Sequence, residues 1–126
     1  MQAQTASRSV VVDWGRLEAL RDLQSEGEPD VVVEVIAMFQ EDSVARLARA
    51  RDAFACGGRK SLKREAHSLR GSAGLLGAER LRETAEAVER HAGWSSALGP
   101  LVDAMAEAIS AVCTELSSGA PEKHVR

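Results

Sequence analysis

The hydrophobic residues of the chain recur at intervals of three and four positions, which is the spacing of amphipathic helices. The longest stripe begins in a β-branched run, Val31 to Ile36, that alone would also suit a strand. Because the helical spacing continues without a break, a single long helix is predicted, ending at Gly57 and Gly58. Its stripe consists of Val32, Ile36, Phe39, Ser43, Leu47, Ala50 and Phe54.

A shorter helix is predicted before this one. Asp13 is a suitable N-cap, and Val12 and Leu17 have the positions of a hydrophobic staple. This helix is expected to end near Gln24. Pro29 is expected to be the first residue of the long helix, where a missing N–H is tolerated.

Three more stripes follow the glycine pair. A third helix is predicted to start at Ser61 as its cap and to end before Gly77, a fourth to end at Gly93, and a fifth to carry Pro100 in its first turn. The three stripes are Leu62, Ala66, Leu69, Ala73 and Leu76; Leu81, Ala85, Val88 and Ala92; and Leu98, Val102, Met105, Ile109, Val112 and Leu116.

Four amphipathic helices with short connections predict an all-α fold, an antiparallel up-and-down four-helix bundle with an additional short N-terminal helix over one end. A length of 126 residues fits one domain. The predicted bundle occupies residues 13–116, with flexible segments at 1–12 and 117–126. The chain contains 21 Ala and no Tyr, which favours helices over sheets.

Charge and missing motifs exclude several classes of function. The net charge of −3 argues against a nucleic-acid-binding protein. No apolar run could span a membrane and nothing resembles a secretion signal, so the cytoplasm is the expected location. Cys56 and Cys113 have no metal-ligand spacing and are expected to be reduced, packed thiols. With no nucleotide-binding or zinc motif, no cofactor or metal of its own is expected.

The candidate chemistry lies on the polar face of the third helix. Lys63, His67, Arg70, Gly71 and Gly74 follow each other at helical spacing and therefore stack along one side. A histidine is thus flanked by cations, and the next positions have almost no side chain. Glycine inside a helix costs about 1 kcal/mol relative to alanine, so a compensating reason is needed. Close approach of another surface to His67 is such a reason.

The start of this helix is strongly basic. Residues 59–70 contain five cations and one acid, in a chain that is acidic overall. Such a run is ordinarily a solvated helix start, yet cations there oppose the helix dipole, which favours a role in steering a partner. Arg64 and Ser68, beside His67, are therefore expected to join Gly71 and Gly74 in a docking surface.

The segment from Ala66 to Gly77 resembles the signature of the histidine-containing phosphotransfer (HPt) domains of bacterial phosphorelays. That signature is a His, a basic residue three positions on, a Gly four on and a Gly ten on. These positions are occupied here by His67, Arg70, Gly71 and Gly77. The resemblance extends from about Asp13 to Leu116. The family usually has Lys at the position of Arg70 and often a small polar residue at that of Leu75.

The resemblance implies that His67 accepts a phosphoryl group from an aspartyl phosphate on one receiver domain and passes it to the Asp of another. The implied partners are receiver domains of a hybrid histidine kinase and of a response regulator, which would supply Mg²⁺. The chain would be a monomeric phosphohistidine carrier rather than an autonomous kinase. Phe39 would pack beneath the site, and Gly77 would give structural support.

The residue types suit this chemistry. A histidine ring is mostly neutral in the cytoplasm because its ordinary pKa is about 6.5, and a neutral ring presents a free nitrogen. Arg70, and secondarily Lys63, would offset charge on the equatorial oxygens of the transferring group. His91 and His124 lack this surrounding and are interpreted as structural or solvated.

Two alternatives stay open. One is a non-catalytic bundle that binds a histidine kinase or receiver domain as an adaptor or inhibitor. The other is a phosphotransfer module cut from a larger kinase. The presence of the acceptor histidine favours phosphotransfer over the adaptor. Met1 and a complete predicted first helix favour a free-standing protein over a module.

Overall fold

A computed structural model describes residues 11–93 and 96–119, and this part of the chain is helical throughout apart from turns. The helices are Trp14–Leu23 (α1), Val31–Cys56 (α2), Arg59–Leu76 (α3), Glu79–His91 (α4) and Leu98–Ser118 (α5). Each of α2, α3 and α4 packs against the helix that follows it, α5 closes the bundle against α2, and α1 lies on α2 and α3. The all-α class and the extra short helix are confirmed. Within the described ranges, no helix is long and apolar enough to cross a membrane.

The predicted stripes form the core of this bundle. Every stripe residue predicted for α3, α4 and α5 is buried. In α2 the prediction is wrong at its last position, because Phe54 is 42% exposed and Ala53 is buried instead. The ring of Phe54 lies against Gly99 at the start of α5, at one end of the bundle. At this end of α2, the residue three positions after Ala50 faces the core, and the residue four positions after it does not.

The starts of α2 and α3 differ from the prediction. Asp30, not Pro29, precedes α2: its carboxylate accepts a hydrogen bond from the Val32 amide at 3.0 Å, and it pairs with Arg21 at 2.9 Å. The Arg21 hydrogen bond is the main cause that holds the pKa of Asp30 below its ordinary value. Ser61 is not a cap, because α3 already begins after Gly58.

The end of α3 fixes the start of α1. Gly77 has a φ of +67°, and a Cβ there would lie 2.3 Å from the Asp13 Cβ. The Asp13 amide donates to the Leu76 carbonyl at 2.9 Å, while its side chain caps α1 as predicted. The expected structural role of Gly77 is thus explained by a backbone conformation and a close approach that both favour glycine.

The predicted flexible segments need correction at their inner ends. Val12 is 3% exposed and belongs to the core, because it packs where α1 begins. Ser117 and Ser118 are the last residues of α5 rather than part of a tail. Residues 1–10 and 120–126 of these predicted segments lie outside the described residues. Gly119 is described and is the C-cap of α5.

Candidate functional site

His67 lies midway along α3 on the side opposite the core. Its side chain is 61% exposed, whereas its neighbours Ala66 and Leu69 are buried. The ring is held by a residue from the next helix: Nδ1 lies 2.8 Å from Oε2 of Glu89 in α4. The Glu89 side chain is only 17% exposed. The exposed ring is therefore anchored at one nitrogen by a largely buried carboxylate.

This contact determines which ring nitrogen can react. An ionised carboxylate only accepts hydrogen bonds, so in the neutral ring the proton sits on Nδ1 and is donated to Glu89. The lone pair is then on Nε2. An Arg70 Nη2 also lies 3.4 Å from Nδ1, but a guanidinium can only donate and cannot share a nitrogen that is already protonated. The shorter contact with the carboxylate decides the tautomer.

Arg70 lies beside both His67 and Glu89. Its Nη1 is 3.5 Å from Glu89 Oε1, a distance that suits attraction between charges better than a hydrogen bond. This Oε1 is buried and has no hydrogen-bond partner. Arg70 is 36% exposed, so its guanidinium is close to the ring yet not fixed by a strong bond. It can therefore turn towards an additional anion bound at His67.

The basic start of α3 borders the same place. A shallow depression beside the ring is lined by Lys60, Lys63, Arg64, His67 and Glu89. The structure thus brings Lys63 and Arg64 next to His67, as their helical spacing predicts. Their positive charge surrounds the ring on its N-terminal side, where an incoming phosphoryl group would be attracted.

On the C-terminal side of the ring the helix surface is bare. A Cβ added at Gly71 or Gly74 would meet nothing within 4 Å beyond the local backbone. Close packing between helices of the bundle therefore does not require these glycines. The Gly74 carbonyl accepts a hydrogen bond from Arg16 of α1, and Gly74 is half-buried whereas Gly71 is exposed. Both glycines are available for the close approach of another molecule.

An apolar groove runs beside this bare surface, between α2 and α3. It has a volume of about 220 Å³, and Met38 and Leu75 on its rim are 67% and 56% exposed. Ser68, one turn before Ser72 on α3, is half-buried on the side that leads to this groove. The groove is lined by Val35, Met38, Phe39, Asp42, Ser72, Leu75 and Leu76. Phe39 is buried, and the α3 residues that line the groove with it are Ser72, Leu75 and Leu76, which follow His67 by five, eight and nine positions.

The sequence analysis did not single out two acids that the structure places at or near His67, Glu89 and Glu65. The sequence signal for Glu89 is its place directly after the buried Val88, at the edge of the apolar stripe of α4. Glu65 is buried at 6% exposure and pairs with Arg46 at 2.9 Å and Arg49 at 3.0 Å. These pairs join α2 to α3 two residues before His67.

Arg46 also forms an ion pair within α2. Arg46 donates to Asp42 at 2.8 Å, four residues earlier in the same helix. This hydrogen bond is the main cause that raises the pKa of Arg46 above its ordinary value. This i, i+4 pair is part of the same charged cluster as Glu65, which joins α3 to α2.

The other candidate groups are set apart from this site. His91 is half-buried, and its Nδ1 lies 2.9 Å from the Ala87 carbonyl of its own helix. His124 lies outside the described residues. Cys56 and Cys113 are free, as expected, although Cys56 is exposed rather than packed. Among the described residues no three His, Cys, Asp or Glu side chains are grouped to hold a metal ion.

Comparisons by sequence and by structure both match histidine-containing phosphotransfer proteins. Histidine-containing phosphotransfer protein 2 of Arabidopsis thaliana is 36% identical over 66 residues, which is 50% of this chain and 42% of that protein. The chain thus spans less than half the length of this relative. The crystal structure of histidine-containing phosphotransfer protein B from Pseudomonas aeruginosa PAO1 has the same fold, with a TM-score of 0.78 and 22% identity over 87% of this chain and 94% of that one. The Hpt domain family matches residues 34–118, well over half of the sequence, and the chain therefore belongs to the Hpt domain family.

Proposed function

We propose that this protein is a histidine phosphotransfer protein whose phosphoacceptor is His67. It accepts a phosphoryl group from the aspartyl phosphate of one receiver domain and passes it to the Asp of another. The observation that carries the proposal is the 2.8 Å contact between His67 Nδ1 and Glu89. It leaves the lone pair on Nε2 of an exposed ring, between cations on one side and bare helix surface on the other.

The transfer needs little from this chain, because an aspartyl phosphate is already activated. The Nε2 lone pair attacks phosphorus, and the bond from phosphorus to the donor Asp oxygen breaks with its electron pair remaining on the carboxylate. Arg70, and secondarily Lys63, offset negative charge on the three equatorial oxygens. The divalent ion belongs to the acidic pocket of the receiver domain. The chain acts as a phosphohistidine carrier and not as a kinase.

The receiver domains are proposed to dock over the exposed side of α3. Gly71 and Gly74 permit close approach, Arg64 attracts the acidic pocket of the receiver, and Ser68 lies between these features. The exposed Leu75 extends the surface towards the apolar groove. A monomer is the proposed working form, in the cytoplasm, where free thiols such as those of Cys56 and Cys113 stay reduced.

A two-step relay tests the proposal. A panel of receiver domains is labelled with radioactive acetyl phosphate and incubated with the protein, and unlabelled receiver domains are then added. We expect label on this chain that is labile in acid and stable in base, followed by its movement to a second receiver. A chain that binds receiver domains but never carries label would overturn the proposal and establish the adaptor alternative.

A further inference from the structure

Glu89 contacts the ring nitrogen that does not react, and this position gives it a second task once His67 is phosphorylated. We propose that Glu89 is a positioning residue that keeps the proton on Nδ1 of phosphorylated His67 and thereby accelerates release of the phosphoryl group to the next acceptor. The inference rests on the proposed function, since it concerns the second half of the same transfer.

The geometry allows the contact to persist in both states. Glu89 Oε2 is 2.8 Å from Nδ1, and Oε1 is buried without a hydrogen-bond partner. The next residue back, Val88, is fully buried and fixes this stretch of α4 against the core. Phosphorylation on Nε2 adds its atoms on the opposite edge of the ring. The carboxylate therefore remains in place beside Nδ1 when the phosphoryl group arrives.

The bond changes of onward transfer show why this proton matters. An oxygen of the acceptor Asp forms a bond to phosphorus, the bond from phosphorus to Nε2 breaks, and its electron pair returns to Nε2. If Nδ1 carries a proton, the ring leaves as neutral imidazole. If it does not, the ring leaves as an imidazolate anion, which is a far poorer leaving group. The proton on Nδ1 is retained throughout and needs no exchange with solvent.

The cations around the ring disfavour a proton on Nδ1 of the phosphorylated ring, because that proton makes the ring positively charged. Arg70 lies 3.4 Å from Nδ1, and Lys60, Lys63 and Arg64 line the same depression. These cations favour the transferring phosphoryl group but disfavour a positively charged ring. Glu89 supplies the negative charge among the residues that line the depression. An amide at this position could accept the same hydrogen bond, but without the charge that strengthens it.

The decisive variant is therefore Glu89→Gln, which keeps the shape of the side chain and removes its charge. We expect onward transfer from phosphorylated wild-type protein to depend little on pH in the neutral and mildly alkaline range. In the variant it should fall steadily as pH rises, to about one tenth of the wild-type rate at the alkaline end, because hydrogen bonds to charged groups are about twice as strong as neutral ones. Lower pH should restore the variant.

The experiment uses the full chain loaded chemically with phosphoramidate, so that loading does not depend on a receiver domain. Release of phosphate to water and transfer to an added receiver domain are both followed against pH. Glu83→Gln, an exposed position on the same helix, is the control and should behave as wild type. A rate lowered by the same factor at every pH, or profiles that coincide with wild type, would overturn the inference. Phosphorylated wild type that loses phosphate to water but never to a receiver domain would instead contradict the proposed function.

Discussion

At the scale of single residues, the reactivity of His67 depends on two neighbours that differ in how far they could be predicted. Arg70 follows His67 by three residues on one helix face, so its proximity was predictable from the sequence. Glu89 is 22 residues away in another helix. Its contact depends on how α4 is rotated against α3, which the stripe of α4 determines only to within about one residue.

Arg70 is expected to assist transfer by its charge. Arg70→Ala should slow acceptance of the phosphoryl group by about tenfold to a hundredfold, since a cation near the equatorial oxygens is lost. Arg70→Lys should largely retain the rate, because the charge is kept although the planar fork is lost. Rates are measured under single-turnover conditions, with Arg51→Ala, which removes an exposed ion pair to Asp103, as the control. An unchanged rate in Arg70→Ala would rule out this role.

At the scale of helices, hydrophobic spacing predicted the elements better than their ends. The stripes of α3, α4 and α5 are buried as predicted, because each needs only its own periodicity. The start of α2 at Asp30 depends on Arg21 from another helix, and the start of α3 depends on how α2 ends at Gly57. Such caps are set by tertiary neighbours, which spacing along one helix does not reveal.

The glycines on α3 give a prediction that separates docking from packing. Gly71→Leu or Gly74→Leu should impair transfer by about a hundredfold, since a displacement of about 1 Å at the reacting atoms can have that effect. Thermal stability should be unchanged or slightly higher, because leucine is the better helix former and the space is open. Melting temperature and transfer rate are measured on the same samples. A clear loss of stability with transfer surviving in the folded fraction would favour a packing role.

Gly77 is expected to matter for stability instead. Gly77→Ala should lower the free energy of unfolding by about 2 kcal/mol or more, because a side chain is strained at positive φ and the added Cβ would collide with Asp13. Gly27→Ala is the matched control: its φ is also positive, but its Cβ would meet nothing within 4 Å. Chemical denaturation measures the free energy of unfolding of both variants. Equal losses in the two variants would show that the contact with Asp13 contributes nothing.

At the scale of the whole molecule, the bundle follows from four apolar faces and short connections. Consecutive helices must lie side by side, so the class of fold and the placement of His67 on an outer face were predictable. The contacts between residues that are far apart in the sequence were not predictable. The Trp14 ring donates to Glu115 at 2.9 Å across 101 residues, and Glu65 joins α2 to α3 through two arginines. These contacts orient the helices and so decide which side chains reach His67.

The central claim is that His67 carries the phosphoryl group, and site-directed labelling tests it most directly. Wild type, His67→Gln and His91→Gln are each incubated with a labelled receiver domain, and circular dichroism checks that all three are folded. His67→Gln should keep the fold, because the side chain is 61% exposed, and should take up no label, because an amide is not a comparable nucleophile. His91→Gln should be labelled like wild type. Labelling of His67→Gln at the wild-type rate would contradict the account.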